Sequence, residues 1–240
     1  MTGIVLQSRL DSTRLPEKAL LPLDGKPLVF RVMEALNHIP ADIRILACPE
    51  DSLSAFSPPA QEAGFHIFSG SKDDVLERYC QVIRKYSLSR VIRATGDNPF
   101  VFADSAEKIN AESIELKADY AGFLEIPYGA GVECICASSL LKAASEASSS
   151  YDREHVSPYL YNNPGIFKIH RPKWILNEHD IPTCKTSGLE LNTGEIRLTV
   201  DTYEDYMQAV LLYDSLKNEK FRYNSDIIIR KYLEILNGRQ

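Results

Sequence analysis

Three segments of the 240-residue chain carry residue types suited to phosphate and metal chemistry. The first, QSRLDSTRLPEKALLPLDGKPL from Gln7, follows the β-branched run GIVLQ and gathers Arg9, Arg14 and Lys18 in one loop. Guanidinium groups take phosphate oxygens in a two-pronged fork, and a lysine is a movable point charge that can follow negative charge onto a leaving pyrophosphate. The second segment is Thr95-Gly96-Asp97 after the run VIRA, and the third is Asp201 after EIRLTV. Two carboxylates at strand ends could share Mg²⁺, which takes a few carboxylates with substrate phosphates rather than a full protein cage. Taken singly, each segment has a plainer reading. Basic residues in a loop are commonly solvated surface, and an aspartate after a strand commonly forms a turn or cap. Thr202 is itself a candidate cap, which frees the Asp201 side chain to point at the sheet edge. Together the basic loop and the two aspartates form a charge-balanced set that suits a triphosphate with Mg²⁺.

The elements that must position these residues alternate along the first half of the chain. GIVLQ, a helical pattern from Pro27 to Asn37, IRILACP, a helix broken by Pro58-Pro59, FHIF, a helix from Asp73 to Tyr86, and VIRAT follow in order. That β-α-β-α order implies an α/β fold, a mainly parallel central sheet with helices on both faces. In such a sheet, ligands bind outside the carboxyl ends of the strands, where the basic loop lies. Val75, Leu76, Tyr79, Val82, Ile83 and Tyr86 recur at helical spacing on one face, and Ser71 with Asp74 predicts a capping box. Beyond Asp119 we expect strands at DYAGF and GVECICA, a helix near Ser139 to Ala147, and one helix from Asp152 to Asn162. EIRLTV reads as a strand, followed by a helix from Thr202 with Asp205 completing a capping box. We expect one domain over 1–240, with a loop or small hairpin excursion near 171–194.

Composition narrows the function. A net charge of -6 argues against broad nucleic-acid binding, which needs many phosphate-neutralising cations on one surface. No apolar run approaches the roughly 20 residues needed to cross a bilayer, and the N-terminus lacks the features of a signal peptide; the expectation is a cytoplasmic protein. Cys48, Cys80, Cys134, Cys136 and Cys184 contain no C-x-x-C pair, so neither a disulfide framework nor a zinc site is expected. Cys134 and Cys136 alternate on one strand and read as small core residues. There is no P-loop, no helix-borne H-E-x-x-H and no Ser-His-Asp order.

The segment IVLQSRLDSTRLPEKALLPLDGKPL resembles the N-terminal signature of the cytidylyltransferases of the spore-coat polysaccharide SpsF type. It is more distantly similar to the CMP-Kdo and CMP-sialic acid synthetases. FSGSKDDVLERY, RATGDNPFV, IPYGAGVEC, YDREHVSPYLY and RLTVDTYEDY follow in the family's order, so the resemblance runs from residue 4 to about 210. It implies a Rossmann-like GT-A nucleotidyltransferase fold, usually dimeric, that uses CTP and Mg²⁺ to load CMP onto an acidic sugar. Carried over, Arg9, Arg14 and Lys18 would contact the triphosphate, and the main chain around Leu6, Gln7 and Ser8 would hold the cytosine and ribose side. Ser69, Gly70 and Ser71 would help read the base, Thr95 would join the nucleotide site, and Asp97 and Asp201 would bind Mg²⁺. Tyr128, Glu133, Arg153 and His155 would shape the acceptor pocket, with Arg153 the partner of a sugar carboxylate. Relatives tend to carry an acidic residue where this chain has Gly131.

These parts suit in-line attack of an acceptor oxygen on the α-phosphate of CTP, with the cations stabilising the departing pyrophosphate. The same parts would serve another acceptor, such as phosphocholine or a sugar phosphate. A GT-A glycosyltransferase and a nucleotide-sensing protein with reduced catalysis are the further alternatives. His155 reads equally as a structural histidine, and Tyr151, Tyr159 and Tyr161 as core or interface aromatics.

Overall fold

The computed structural model describes residues 1–176 and 193–238. Most of the excursion expected over 171–194, and Cys184 with it, lies outside the described residues. The elements in chain order begin with β1 (Thr2–Gln7), the small hairpin β2 (Pro22–Leu23) and β3 (Lys26–Pro27), and α1 (Leu28–Leu36). Then come β4 (Ile43–Pro49), α2 (Leu53–Glu62), β5 (His66–Gly70), α3 (Val75–Tyr86), β6 (Arg90–Thr95) and α4 (Ala103–Glu115). The second half carries β7 (Tyr120–Ala121), β8 (Glu133–Cys136), α5 (Ala137–Glu146), α6 (Ser150–His155) and α7 (Pro158–Tyr161). β9 (Ile169–His170), α8 (Tyr203–Leu216) and α9 (Ser225–Asn237) complete the described elements.

The main sheet has seven strands in the order β5-β4-β1-β6-β8-β7-β9. β5, β4, β1 and β6 run parallel, as the alternation of strands and helices predicts, and only β8 runs against its neighbours β6 and β7. Strand alternation sends Ile4, Leu6, Leu46 and Ile92 to a core beneath α1, α2, α4, α8 and α9. Val5, Ile45, Val91 and Ile135 point to the opposite core, beneath α3, α5 and α7. Reversing β8 has a consequence for chemistry: its first residue, Glu133, lies at the same edge of the sheet as the last residues of β1 and β6.

Four expectations change in detail. EIRLTV forms no sheet strand. Ile196, Leu198 and Val200 are buried in alternation, as in a strand, but β6 has already turned away at Gly96, and the backbone pairing left among the described residues is to Tyr128 and Asp97. The first residue of EIRLTV, Glu195, instead closes a short 3-10 turn from Thr193, and the rest of the segment makes one parallel bridge, between Arg197 and Tyr128. α2 runs unbroken through Pro58 and Pro59; the two missing donors are offset by burial of Phe56, Pro59 and Ala60 against the sheet. The helix expected over Asp152 to Asn162 is two short helices. Pro158 cannot sit in a helix interior without striking the carbonyl four residues back, and the chain breaks at Val156, a buried β-branched residue at φ 72°. At α3 the cap is Asp74, which accepts from Glu77 N at 2.9 Å, and Ser71 serves Asp74 N one turn earlier. Among the described residues no helix is long and apolar enough to cross a membrane.

Candidate functional site

The carboxyl edge of the sheet is assembled by backbone contacts between the segments singled out in the sequence. Gly96 N donates to Gln7 O at 2.8 Å, which pins the turn Thr95-Gly96-Asp97 against the end of β1. A methyl on Gly96 would stand 2.7 Å from Ser8 Cβ and 3.2 Å from Gln7 O, so only glycine allows this approach. Asp97 O in turn accepts from Val200 N at 2.8 Å, and Tyr128 bonds both Ile196 and Leu198. Gly129 makes the second close approach: at φ 93° its added methyl would meet Thr199 N at 2.6 Å. EIRLTV is therefore stitched between the Tyr128 loop and Asp97, which delivers Asp201 beside Asp97. At the start of α8, Thr202 Oγ1 accepts from Asp205 N and Asp205 Oδ2 accepts from Thr202 N, the capping box expected there. Asp205 also accepts from Asp201 N, so Asp201 keeps its own carboxylate for other partners.

Those partners are cations. Lys18 Nζ donates to Asp97 Oδ2 at 2.9 Å and to Asp201 Oδ1 at 2.8 Å. Arg14 reaches the same Asp201 oxygen at 3.0 Å, and Arg197 takes Asp201 Oδ2 at 2.6 Å and Asp205 at 3.1 Å. Burial opposes charge on Asp201, but Lys18, Arg14 and Arg197 outweigh it and hold its carboxyl below the usual range. Asp205 is lowered in the same way, burial being overcome by the two backbone amides and Arg197. Arg197 also stacks on the exposed ring of Tyr128, 5.0 Å from its centroid.

The arrangement passes a simple test for Mg²⁺. One cation already reaches an oxygen of each aspartate, so a single ion could do the same. Two carboxylates suit Mg²⁺, which takes its remaining oxygens from substrate phosphates and water. A cavity of about 310 Å³ lies beside the loop, lined by Leu10, Asp11, Ser12, Pro16, Glu17 and Asp51. Its three carboxylates suit a triphosphate poorly, so the strand ends rather than this hollow are the candidate site.

A second polar group lies on the sheet face covered by α3, α5 and α7. Arg93 donates through Nε to Gln7 Oε1 at 3.2 Å and through a terminal nitrogen to Glu133 Oε2 at 2.5 Å. Tyr120 and Ser157 donate to the two Glu133 oxygens at 2.8 and 2.7 Å. Burial and the adjacent Glu133 carboxylate push the Tyr120 hydroxyl far upward, so it stays a donor. This group ties β1, β6, β8 and β7 to the break between α6 and α7.

The expected residues therefore divide. Arg14, Lys18, Asp97 and Asp201 converge; Leu6, Gln7, Ser8 and Thr95 line the adjoining strand ends, with Thr95 Oγ1 accepting from Asn98 at 2.8 Å. Ser69 and Gly70 end β5 opposite Cys48 and Pro49, and Ser71 O accepts from Arg78 at 2.6 Å. Arg9 stands apart, 3.6 Å from Glu154 and 3.7 Å from Asp11. Arg153 is spent on Asp74 at 2.6 Å and on the carbonyls of Ala144 and Ala147, so a contact with an acceptor would require those bonds to be exchanged. His155 packs on the Tyr151 ring at 4.4 Å. Arg93, Arg197 and the buried Arg78 were not anticipated. For Arg93 a signal existed: in VIRAT, period-two alternation places it on the same face as Val91, a cation where a central strand should be apolar.

Comparison with known proteins identifies the family and the fold. The family model described as cytidylyltransferase matches residues 3–237. The chain is 28% identical over 240 residues to the spore coat polysaccharide biosynthesis protein SpsF of Bacillus subtilis, covering 97% of this chain and 92% of that one. Among solved structures it is similar to a cytidylyltransferase from Leptospira borgpetersenii, with a TM-score of 0.78 and 24% identity over 99% of this chain and 94% of that one. It also resembles CMP:2-keto-3-deoxy-manno-octonic acid synthetase complexed with CTP, with a TM-score of 0.67 and 15% identity, covering 89% and 98%. The architecture is thus the nucleotidyltransferase fold that the signature implies, and the chain belongs to the cytidylyltransferase family.

Proposed function

We propose that the protein transfers CMP from CTP to an acidic sugar of the sialic-acid or Kdo type, releasing pyrophosphate, with Mg²⁺ at Asp97 and Asp201, for surface polysaccharide or glycan synthesis. The observation that carries this reading is the convergence of Lys18 and Arg14 on the two aspartates at the carboxyl edge of the sheet. When bound, the metal supplies charge neutralisation and polarisation at the α-phosphate. The main chain around Leu6, Gln7 and Ser8, with Thr95, would seat the nucleoside, with Ser69, Gly70 and Ser71 toward the base. Arg14 and Lys18 would exchange Asp201 for phosphate oxygens and neutralise pyrophosphate as it leaves, with Arg9 at the outer end of the loop. Tyr128, Glu133, Arg153 and His155 would shape the acceptor pocket, as the resemblance implies. Little covalent work falls to the protein, because phosphoryl transfers depend mainly on positioning and charge.

One observation favours a second reading. The bonds from Arg153 to Asp74, Ala144 and Ala147 occupy the cation expected for a sugar carboxylate, which suits an acceptor without one, such as phosphocholine or a sugar phosphate. Incubation with CTP, Mg²⁺ and each acceptor class, read as pyrophosphate release and as the mass of the CMP adduct, separates the two. Turnover with sialic acid or Kdo supports the first reading, and turnover with phosphocholine or a sugar phosphate alone replaces it with the second. No release with any acceptor, or transfer from a preformed nucleotide sugar, would overturn both.

A further inference from the structure

We propose that Lys18 stands in for the divalent cation until a triphosphate draws it away, so that metal and CTP bind as one coupled event. The inference rests on the preceding reading, in which Asp97 and Asp201 take the metal. Its basis is the placement of one ammonium against both carboxylates. Lys18 Nζ lies 2.9 Å from Asp97 and 2.8 Å from Asp201, and its side chain is only 15% exposed.

A bridging Mg²⁺ needs carboxylate oxygens at about 2.0–2.1 Å, in the space that Nζ now fills. Ammonium and metal cannot share that space, since two like charges would be held in contact away from water. A metal arriving alone must therefore expel Lys18, and the surrounding charges make that costly. Arg14 and Arg197 already crowd the same Asp201 carboxylate. Together with Lys18 they balance Asp97, Asp201 and Asp205, and a divalent ion would add uncompensated positive charge.

A triphosphate reverses this balance. It offers anionic oxygens to Lys18, whose flexible stem and three donors can follow them, and to Arg14, whose 64% exposed side chain can exchange Asp201 for them. The departing lysine leaves two carboxylate oxygens for the metal that the nucleotide brings. The backbone need not move far, because Lys18 begins a short 3-10 turn through Leu20 that is anchored by Lys18 N to Leu15 O and Leu21 N to Lys18 O. By linkage, whatever Lys18 subtracts from metal affinity is restored by CTP, and the metal must strengthen CTP binding by the same factor.

The test is Mn²⁺ binding followed by electron paramagnetic resonance, with Mn²⁺ and CTP without protein as the blank. Wild-type protein should bind Mn²⁺ weakly alone and at least about fivefold more tightly with CTP, the lower end of usual coupling between sites. Lys18→Met keeps the stem and removes the charge; it should bind Mn²⁺ without CTP about tenfold more tightly than wild type, within the same range, and gain less from CTP. Lys18→Arg should remain weak without CTP, which separates charge from packing. Circular dichroism monitors the fold of each variant. If Lys18→Met does not fold, calorimetric CTP affinity of wild type with and without Mn²⁺ reads the same coupling. Equal Mn²⁺ affinity with and without CTP in wild type, or no tightening in folded Lys18→Met, overturns the inference. Failure of wild type to bind Mn²⁺ even with CTP instead overturns the metal reading beneath it.

Discussion

Replacing Arg93 with methionine should destabilise the protein by about 3–5 kcal/mol, the usual cost of removing one partner of a buried ion pair. The structure places Arg93 in that regime: its side chain is 13% exposed and that of its partner Glu133 23%. Methionine fills the aliphatic volume, so the loss is chiefly electrostatic. Glu133 would retain its bonds from Tyr120 and Ser157, but neither brings a positive charge. Gln7 would also lose a donor. For a chain of this size each kcal/mol moves the melting temperature by about 2–4 °C, so a loss of about 10 °C is expected. Glu133→Gln on the Arg93→Met background should recover much of this, because the double variant no longer buries an uncompensated carboxylate. Urea unfolding of wild type, both single variants and the double variant completes a cycle, with a coupling energy of about 2 kcal/mol or more expected between residues in direct contact. A loss below about 1 kcal/mol for Arg93→Met, or additive single effects, would refute the reasoning and class the pair as solvated.

Three further outcomes are expected. Asp97→Asn should abolish metal-dependent pyrophosphate release while thermal unfolding stays near wild type; near-normal release would sink the metal assignment. Gly96→Ala should cost about 1–3 kcal/mol by overpacking, because its methyl meets Ser8 and Gln7, and should depress pyrophosphate release by displacing Asp97; full activity at wild-type stability would contradict the close approach. Burial opposes charge on Glu34, but Tyr223, Tyr213, Arg222 and Arg31 hold its carboxyl below the ordinary glutamate value of about 4.5. That contribution is complete above about pH 4.5 and fades as pH falls through the folded-state value, so urea midpoints should drop below pH 4.5 in wild type and drop less in Glu34→Gln.

Much of this protein was legible in its residues taken in order. The apolar periodicity of α3, with Val75, Leu76, Tyr79, Val82 and Ile83 buried on one face, and the capping box at Thr202 depend on neighbours within one helical turn. Sequence carries such local rules directly. The alternation of strands and helices likewise implied a parallel sheet, and with it the edge where Arg14, Lys18, Asp97 and Asp201 gather.

Tertiary structure decided what depends on partners far away in the chain. EIRLTV has the burial pattern of a strand, but a strand also needs a continuous neighbour, and after the turn at Gly96 it pairs only with Tyr128 and Asp97 among the described residues. Pro58 and Pro59 read as a helix break because their cost is local, whereas the compensating burial of Phe56 and Ala60 is not. Arg14 and Lys18 could be recognised as cations beside a sheet edge, yet their joining to Asp201, 183 residues beyond Lys18, follows only from the stitching of Val200 to Asp97. The same cause sets the partners of Arg153. Its charge is written in the sequence, but the carboxylate that claims it, Asp74, lies 79 residues away. Residue types determined which chemistry the chain could perform, and the long-range pairing of charges, governed by Coulomb attraction and by the cost of leaving a buried charge alone, decided which residues stand together to perform it.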